Sequence, residues 1–220
     1  MIKRFKAILF DLDGTLLDTL KDIADSMNAV LERYAMKTFP VDDYRFFVGK
    51  GLGELIKCVL PENKIDEQTI NEFLSSMRIE YTGRWAENSK PYPGIPDLLD
   101  ELQKINLPMA VLSNKADEFT QIMVRTLLPK WQFDIIRGLK DDLPAKPDPT
   151  SALQIAHELR IRPSNFIYLG DTGTDMQTAN SADMYAAGAL WGFRSAEELK
   201  ANGAKVLFES PLQVLELLNY

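Results

Sequence analysis

The chain contains a single cysteine and a single histidine in 220 residues. Cys58 has no partner for an internal disulfide, and so sparing a use of cysteine fits a reducing compartment. With only His157 beside it, a Cys/His zinc centre or a Ser-His-Asp triad is hard to build. His157 itself falls in a helical-looking segment and reads as structural. No apolar run approaches the roughly 18 residues that a membrane crossing needs. The basic start, Met1 to Lys6, leads into an apolar run that Asp11 cuts off, so no secretory leader is expected. Positive charge is also scarce: 25 Lys and Arg face 32 Asp and Glu, a net charge of −7. That balance speaks against a general nucleic-acid binder. It leaves an anionic small molecule open, provided that local cations overcome the overall field.

What is present is an ordinary globular composition, 45% hydrophobic and 26% charged, in a length that suits one large domain or one domain plus a small appendage. Short apolar runs recur between amphipathic stretches. Ala7 to Phe10, Met109 to Leu112 and Phe166 to Leu169 read as strands; Asp134 to Ile136, Tyr185 to Ala187 and Val206 to Phe208 are weaker candidates. Alternation of strand and helix predicts an α/β fold with a parallel sheet covered on both faces, and a site at the carboxyl ends of its strands. Residues 17–89 break the rhythm. Leu20, Ile23, Met27, Val30 and Leu31 keep helical spacing, as do Ile70, Phe73, Met77 and Tyr81, with no strand between them. The spacing predicts a helical insertion after the first strand, residues 17–89, with residues 1–16 and 90–220 forming the core; the chain would return to the core near Pro91-Tyr92-Pro93-Gly94.

Asp11 and Asp13 follow the first strand, two residues apart, so in extended chain both side chains face the same way. Their repulsion must be relieved by a cation or a shared proton, which points to a metal site, an acid/base pair or both. Three further polar clusters occupy comparable places: Ser113-Asn114-Lys115 after the second strand, Lys146 in a proline-rich loop, and Gly170 to Asp175 after the strand ending at Leu169. In a parallel sheet they share one edge. The chemistry that suits carboxylates, a hydroxyl, an amide and a lysine together is phosphoryl transfer. A carboxylate can attack phosphorus; Mg²⁺ takes oxygen ligands and neutralises anionic repulsion; and a second carboxylate can move the proton. The bland readings are helix caps for Asp171 and for Ser113 and Asn114, and a solvated or structural place for Lys115. Thr15 is expected to brace the first loop and Asp18 to cap the first helix.

The four clusters, in order, resemble the four motifs of the haloacid dehalogenase superfamily of phosphatases. The resemblance implies a Rossmann-like parallel-sheet core with a small α-helical cap inserted after the first strand. It implies Asp11 as nucleophile and Asp13 as general acid/base. Asp11, the Asp13 carbonyl and Asp171 would hold Mg²⁺, and Asp175 would bind the metal or orient Lys146. Ser113, Asn114 and Lys146 would take the phosphoryl group. Dehalogenases of the superfamily lack the second aspartate, so Asp13 favours phosphate chemistry. Val48-Gly49-Lys50-Gly51, Tyr92-Pro93-Gly94, Lys146-Pro147-Asp148-Pro149 and Trp191 to Ser195 resemble the phosphoglycolate phosphatase group, and are shared with pyrophosphatases and sugar-phosphate phosphatases. Lys50, Arg45 or Arg84 would meet the carboxylate of a phosphoglycolate-like substrate. The expected partner is a small phosphorylated metabolite, with no nucleic acid and no membrane, for a cytoplasmic monomer or homodimer. A phosphoglucomutase-like mutase and a non-catalytic phospho-signalling protein are the alternatives.

Overall fold

A computed structural model describes residues 5–218; the first four residues of the basic start lie outside them. In chain order the elements are β1 (Ala7–Phe10), β2 (Leu17–Asp18), α1 (Leu20–Arg33), α2 (Tyr44–Phe47), α3 (Leu52–Val59), α4 (Glu67–Arg84), β3 (Lys90–Pro91), α5 (Ile95–Lys104), β4 (Met109–Ala116) and α6 (Asp117–Leu127). There follow β5 (Ile135–Leu139), α7 (Thr150–Glu158), β6 (Phe166–Gly170), α8 (Gly173–Ser181), β7 (Tyr185–Ala189), α9 (Ala196–Ala201) and β8 (Val206–Phe208). No helix among the described residues is long and apolar enough to cross a membrane.

Six strands form one sheet in the order β5-β4-β1-β6-β7-β8, every pairing parallel. Every strand expected from the sequence is there, the weaker candidates included. The period of two sorts β1 onto two faces. Ile8 and Phe10 join Val111, Leu169 and the apolar stripes of α5 and α6. Ala7 and Leu9 join Tyr168 and residues of α7, α8 and α9. A strand covered on both faces has to be apolar throughout, which is why Ala7 to Phe10 is a continuous run. Chain order reverses about β1, which lies between β4 and β6, so a crevice opens beyond the carboxyl end of β1.

Helices α1 to α4 build their own apolar core from Ile23, Met27, Leu31, Leu55, Phe73 and Met77. On α4, Phe73, Met77 and Tyr81 recur every four residues and are buried, while Asp66 caps its start by accepting from the Thr69 N–H at 2.9 Å. The entry and exit of this helical unit pair with each other: Leu17 lies opposite Pro91 and Asp18 opposite Lys90 in an antiparallel β2–β3 ribbon. Asp18 therefore lies in a strand, and Thr19 occupies the N-cap of α1 without a side-chain cap bond. The expectation that Asp18 caps the helix is corrected: pairing with Lys90 holds Asp18 in extended strand, one residue before the N-cap. Beside the ribbon, the buried Asp22 carboxylate accepts from the backbone N–H and side-chain amide of Asn88 and from the backbone N–H and hydroxyl of Ser89, at 2.7–3.0 Å.

Candidate active site

Each candidate side chain is delivered by a strand end or by the first turn of a helix. Asp11 directly follows β1, and Asp171 directly follows β6. Asp175 is the third residue of α8, where it closes a capping box with Thr172: its carboxylate accepts from the Thr172 N–H and hydroxyl. Carboxylate oxygens of Asp11, Asp171 and Asp175 lie within 4.8 Å of one another, all three residues buried. Lys146 Nζ enters this acidic cluster, donating to Asp11 Oδ1 at 2.7 Å, to Asp175 Oδ1 at 2.7 Å and to the Leu112 carbonyl at 3.1 Å. An ammonium has three protons to give, and all three are taken.

One lysine does not balance three buried carboxylates. Burial, and then the charge of Asp175, push the Asp11 carboxyl well above the ordinary carboxylate range in spite of Lys146. Burial and Asp175 likewise raise Asp171 to about 7, against the Phe193 N–H and the Thr15 hydroxyl that favour its charged form. Burial opposes the Lys146 charge, but Asp11 and Asp175 outweigh it and hold the ammonium strongly protonated. The donor set is thus hard oxygen, buried and short of positive charge, which suits an oxygen-seeking divalent cation such as Mg²⁺.

The Asp171 pocket is shaped by glycine. Gly14 has φ of +90°, a left-handed conformation, and a Cβ there would collide with the Asp171 carboxylate. A Cβ at Gly192 would collide with the same side chain. Asp171 Oδ2 accepts from the Phe193 N–H at 2.7 Å, and Oδ1 accepts from the Thr15 hydroxyl at 3.1 Å. Thr15 braces the first loop, as expected.

Asp13 stands apart from the three clustered acids. Its carboxylate accepts from the Thr19 hydroxyl at 2.7 Å and from Lys115 Nζ at 2.9 and 3.1 Å. Any metal contact from Asp13 therefore falls to its backbone carbonyl. Lys115 Nζ also lies 4.7 Å from the centre of the Tyr81 ring on α4. Burial opposes the Lys115 charge, but Asp13 and Tyr81 raise its pKa well above the ordinary lysine value. Lys115, read as structural or solvated, is thus a buried ion-pair partner of Asp13. The signal was its position two residues after Ser113 on β4, hence on the same side of the strand.

Ser113 Oγ accepts from the Lys115 N–H at 3.2 Å and keeps its own proton to donate. Asn114 is differently occupied. Its side-chain oxygen accepts from the Lys146 N–H at 2.8 Å, and its amide donates to the Lys146 carbonyl at 3.0 Å and to the Gly49 carbonyl at 3.1 Å. The Asn114 side chain ties the Lys146 loop and the helical unit to β4. Lys50 is exposed, and the neighbouring Gly49 and Gly51, not Lys50, line the central cavity. His157 lies on α7, away from these residues, and Cys58 is exposed and free.

A Rossmann-like sheet with buried carboxylates and a lysine at the carboxyl edge, under a helical unit, defines an α/β enzyme with an acidic centre that could hold a metal ion. The model of the family described as haloacid dehalogenase-like hydrolase matches residues 8–189, and the chain belongs to that family. It is 33% identical over 188 residues to a phosphoglycolate phosphatase of Aquifex aeolicus, covering 86% of each chain. It is 28% identical over 219 residues to an N-acetylmuramic acid 6-phosphate phosphatase of Pseudomonas aeruginosa, covering 98% of this chain and 96% of the relative. A solved haloacid dehalogenase-like family hydrolase of Streptococcus pneumoniae superposes with a TM-score of 0.89 at 25% identity, over 99% of this chain and all (100%) of that one.

Proposed function

We propose that the chain is a Mg²⁺-dependent phosphatase that hydrolyses a phosphomonoester through a phosphoaspartate on Asp11. The observation that carries this reading is the convergence of Asp11, Asp171 and Asp175 to within 4.8 Å around one saturated lysine. Asp11, Asp171 and the Asp13 carbonyl would hold Mg²⁺, with Asp175 as a further ligand or as the anchor of Lys146. The bound cation supplies charge neutralisation for an anionic ester.

Asp11 forms the new O–P bond as the bond from phosphorus to the leaving oxygen breaks. Asp13, having first taken up a proton from solvent, gives it to that oxygen, which departs as the neutral alcohol. Asp13, now a carboxylate, takes a proton from the water that attacks phosphorus. The Asp11–phosphorus bond breaks, and Asp11 is regenerated with release of phosphate. Ser113 donates its hydroxyl to a phosphoryl oxygen, and Lys146 adds positive charge while keeping Asp11 and Asp175 in place. The helical unit, residues 17–89, acts as a cap that excludes water and meets the leaving group. The substrate is a small phosphorylated metabolite, and the lone exposed thiol of Cys58 suits work in the cytoplasm.

The test is turnover of p-nitrophenyl phosphate with Mg²⁺ and with EDTA. Hydrolysis that depends on the metal and is lost in a folded Asp11→Asn variant is expected. Full activity of that variant would remove Asp11 as the nucleophile, and undiminished hydrolysis in EDTA would remove the metal.

A further inference from the structure

We propose that the ester consumed here has a leaving alcohol with an extended apolar body, larger than a short carboxylic acid; this rests on the phosphatase reading above. The cavity that begins at Asp11, Asp13 and Ser113 does not end there. It runs on between the core and the helical unit to about 580 Å³. That is well within the roughly 300–1,000 Å³ of clefts that enclose drug-sized ligands, and far more than a two-carbon acid fills. Beyond the acidic end the walls are largely apolar, with Leu52, Leu55, Leu74, Met77, Tyr81 and Phe119. Ile79 also lines the chamber and is 73% exposed, so the chamber reaches solvent there and has room for a long body.

The charges in the chamber point the same way. Its cationic lining residues are Lys115 and Arg78. Lys115 is engaged with Asp13, and Arg78 Nε lies 2.7 Å from Glu118. The three cations that the sequence offers for a substrate carboxylate lie elsewhere. Lys50 is exposed and Arg84 pairs with Glu80 at 2.7 Å. Arg45 donates to the Gly192 carbonyl at 3.4 Å and lies 3.7 Å from Asp42. None of the three lines the chamber. A carboxylate carried inward would lose its water against Leu and Phe side chains, with both lining cations already paired to carboxylates. An alkyl or aryl body would instead gain up to about fourfold in binding for each methylene buried.

The experiment measures kcat/KM with Mg²⁺ for ethyl, butyl and hexyl phosphate and for phosphoglycolate, with p-nitrophenyl phosphate as a reference. The three alkyl alcohols leave with the same basicity, so the series isolates binding of the body. The expected result is a rise of about two- to fourfold per methylene, with phosphoglycolate no better than butyl phosphate. A second arm uses Gly53→Phe. Gly53 lines the chamber from α3, and a Cβ there has nothing within 4 Å. The added ring should lower the ratio of hexyl to ethyl phosphate turnover by tenfold or more. A flat or falling alkyl series, or phosphoglycolate ranked above hexyl phosphate, overturns the proposal and leaves the phosphatase reading standing. Failure to hydrolyse any ester, p-nitrophenyl phosphate included, overturns both.

Discussion

Lys146 Nζ donates to Asp11 Oδ1 across 2.7 Å, joining two residues 135 positions apart in the chain. Asp11 is fixed by the end of β1, whereas Lys146 sits in a loop that Asn114 ties to β4 by bonding both its backbone N–H and its carbonyl. The pair is buried, so its partners cannot be removed one at a time without cost. Lys146→Met leaves three carboxylates with no cation. Breaking one side of a buried ionic cluster costs on the order of 3–5 kcal/mol. Turnover should fall by about a hundredfold or more, since the charge facing the phosphoryl group is also lost. The melting temperature should drop, and millimolar Mg²⁺ should restore part of it by replacing the missing charge. Thermal melts with and without the metal check this, and a variant that melts and turns over like the parent would remove Lys146 from the centre.

The carboxylate excess also sets a pH dependence. Burial and Asp175 raise Asp171 to about 7 in the folded chain, against an ordinary value near 4 in the unfolded one. Between those values the folded state keeps a proton that the unfolded state has released. Stability of the metal-free protein is therefore lost as pH rises from about 4 to about 7, and Asp11, shifted the same way, adds to the loss. Asp171→Asn removes one titrating group. In EDTA, the melting temperature of this variant minus that of the parent should grow more positive from pH 5 to pH 8. Bound Mg²⁺ should erase the trend in the parent, because it favours the charged carboxylates. A difference that stays constant with pH would mean that Asp171 carries its charge throughout.

The acidic centre was legible because each member follows an apolar run or opens a helix: Asp11 after Phe10, Asp171 after Gly170, Asp175 in the first turn of α8. Position along the chain, together with a parallel sheet, then decides position in space. Side-chain pairing was not legible in the same way. Nothing local says that Lys115 reaches back to Asp13, 102 residues earlier, or that Tyr81 lies beside it. Nor does anything local say that the Asn114 amide bonds the Gly49 and Lys146 carbonyls, since its residue type suits a phosphate and a backbone group equally well. The β2–β3 ribbon escaped notice because two residues per strand make no pattern. Its neighbour Asp22 was hidden inside an otherwise regular helical stripe.

Asp22 gives a stability prediction independent of the acidic centre. Burial pushes its carboxyl up, but the hydrogen bonds from Ser89 and Asn88 outweigh burial and bring it below the ordinary value. A lowered folded pKa means stability that is present above about pH 4 and lost as pH falls through the folded value. Asp22→Ala removes the acceptor and strands the donors of Asn88 and Ser89, which should cost roughly 1–3 kcal/mol. The loss should appear as a lower melting temperature at pH 7 and should shrink as falling pH protonates the parent carboxylate. A variant equally destabilised at every pH down to acid unfolding would show that Asp22 acts by packing alone.

Gly14 and Gly192 close on Asp171 from two sides, so the acidic pocket depends on the absence of side chains as much as on the acids. Gly14 is the more demanding position, since its φ of +90° already disfavours any other residue. Gly14→Ala adds that strain to a collision with the Asp171 carboxylate, which must then shift. Asp171 is held by the Phe193 N–H and the Thr15 hydroxyl, so any shift gives up one of those bonds or its place beside Asp11 and Asp175. Leu12 and Leu16 of this loop share one core with Phe10, Val111 and Leu169 of β1, β4 and β6, and the substitution removes none of these side chains. The variant should therefore keep its circular dichroism spectrum, melt lower by an amount equivalent to about 1–3 kcal/mol, and bind Mg²⁺ at least tenfold more weakly by calorimetry. Unchanged Mg²⁺ affinity in a folded Gly14→Ala protein would mean that the cation does not depend on where Asp171 stands.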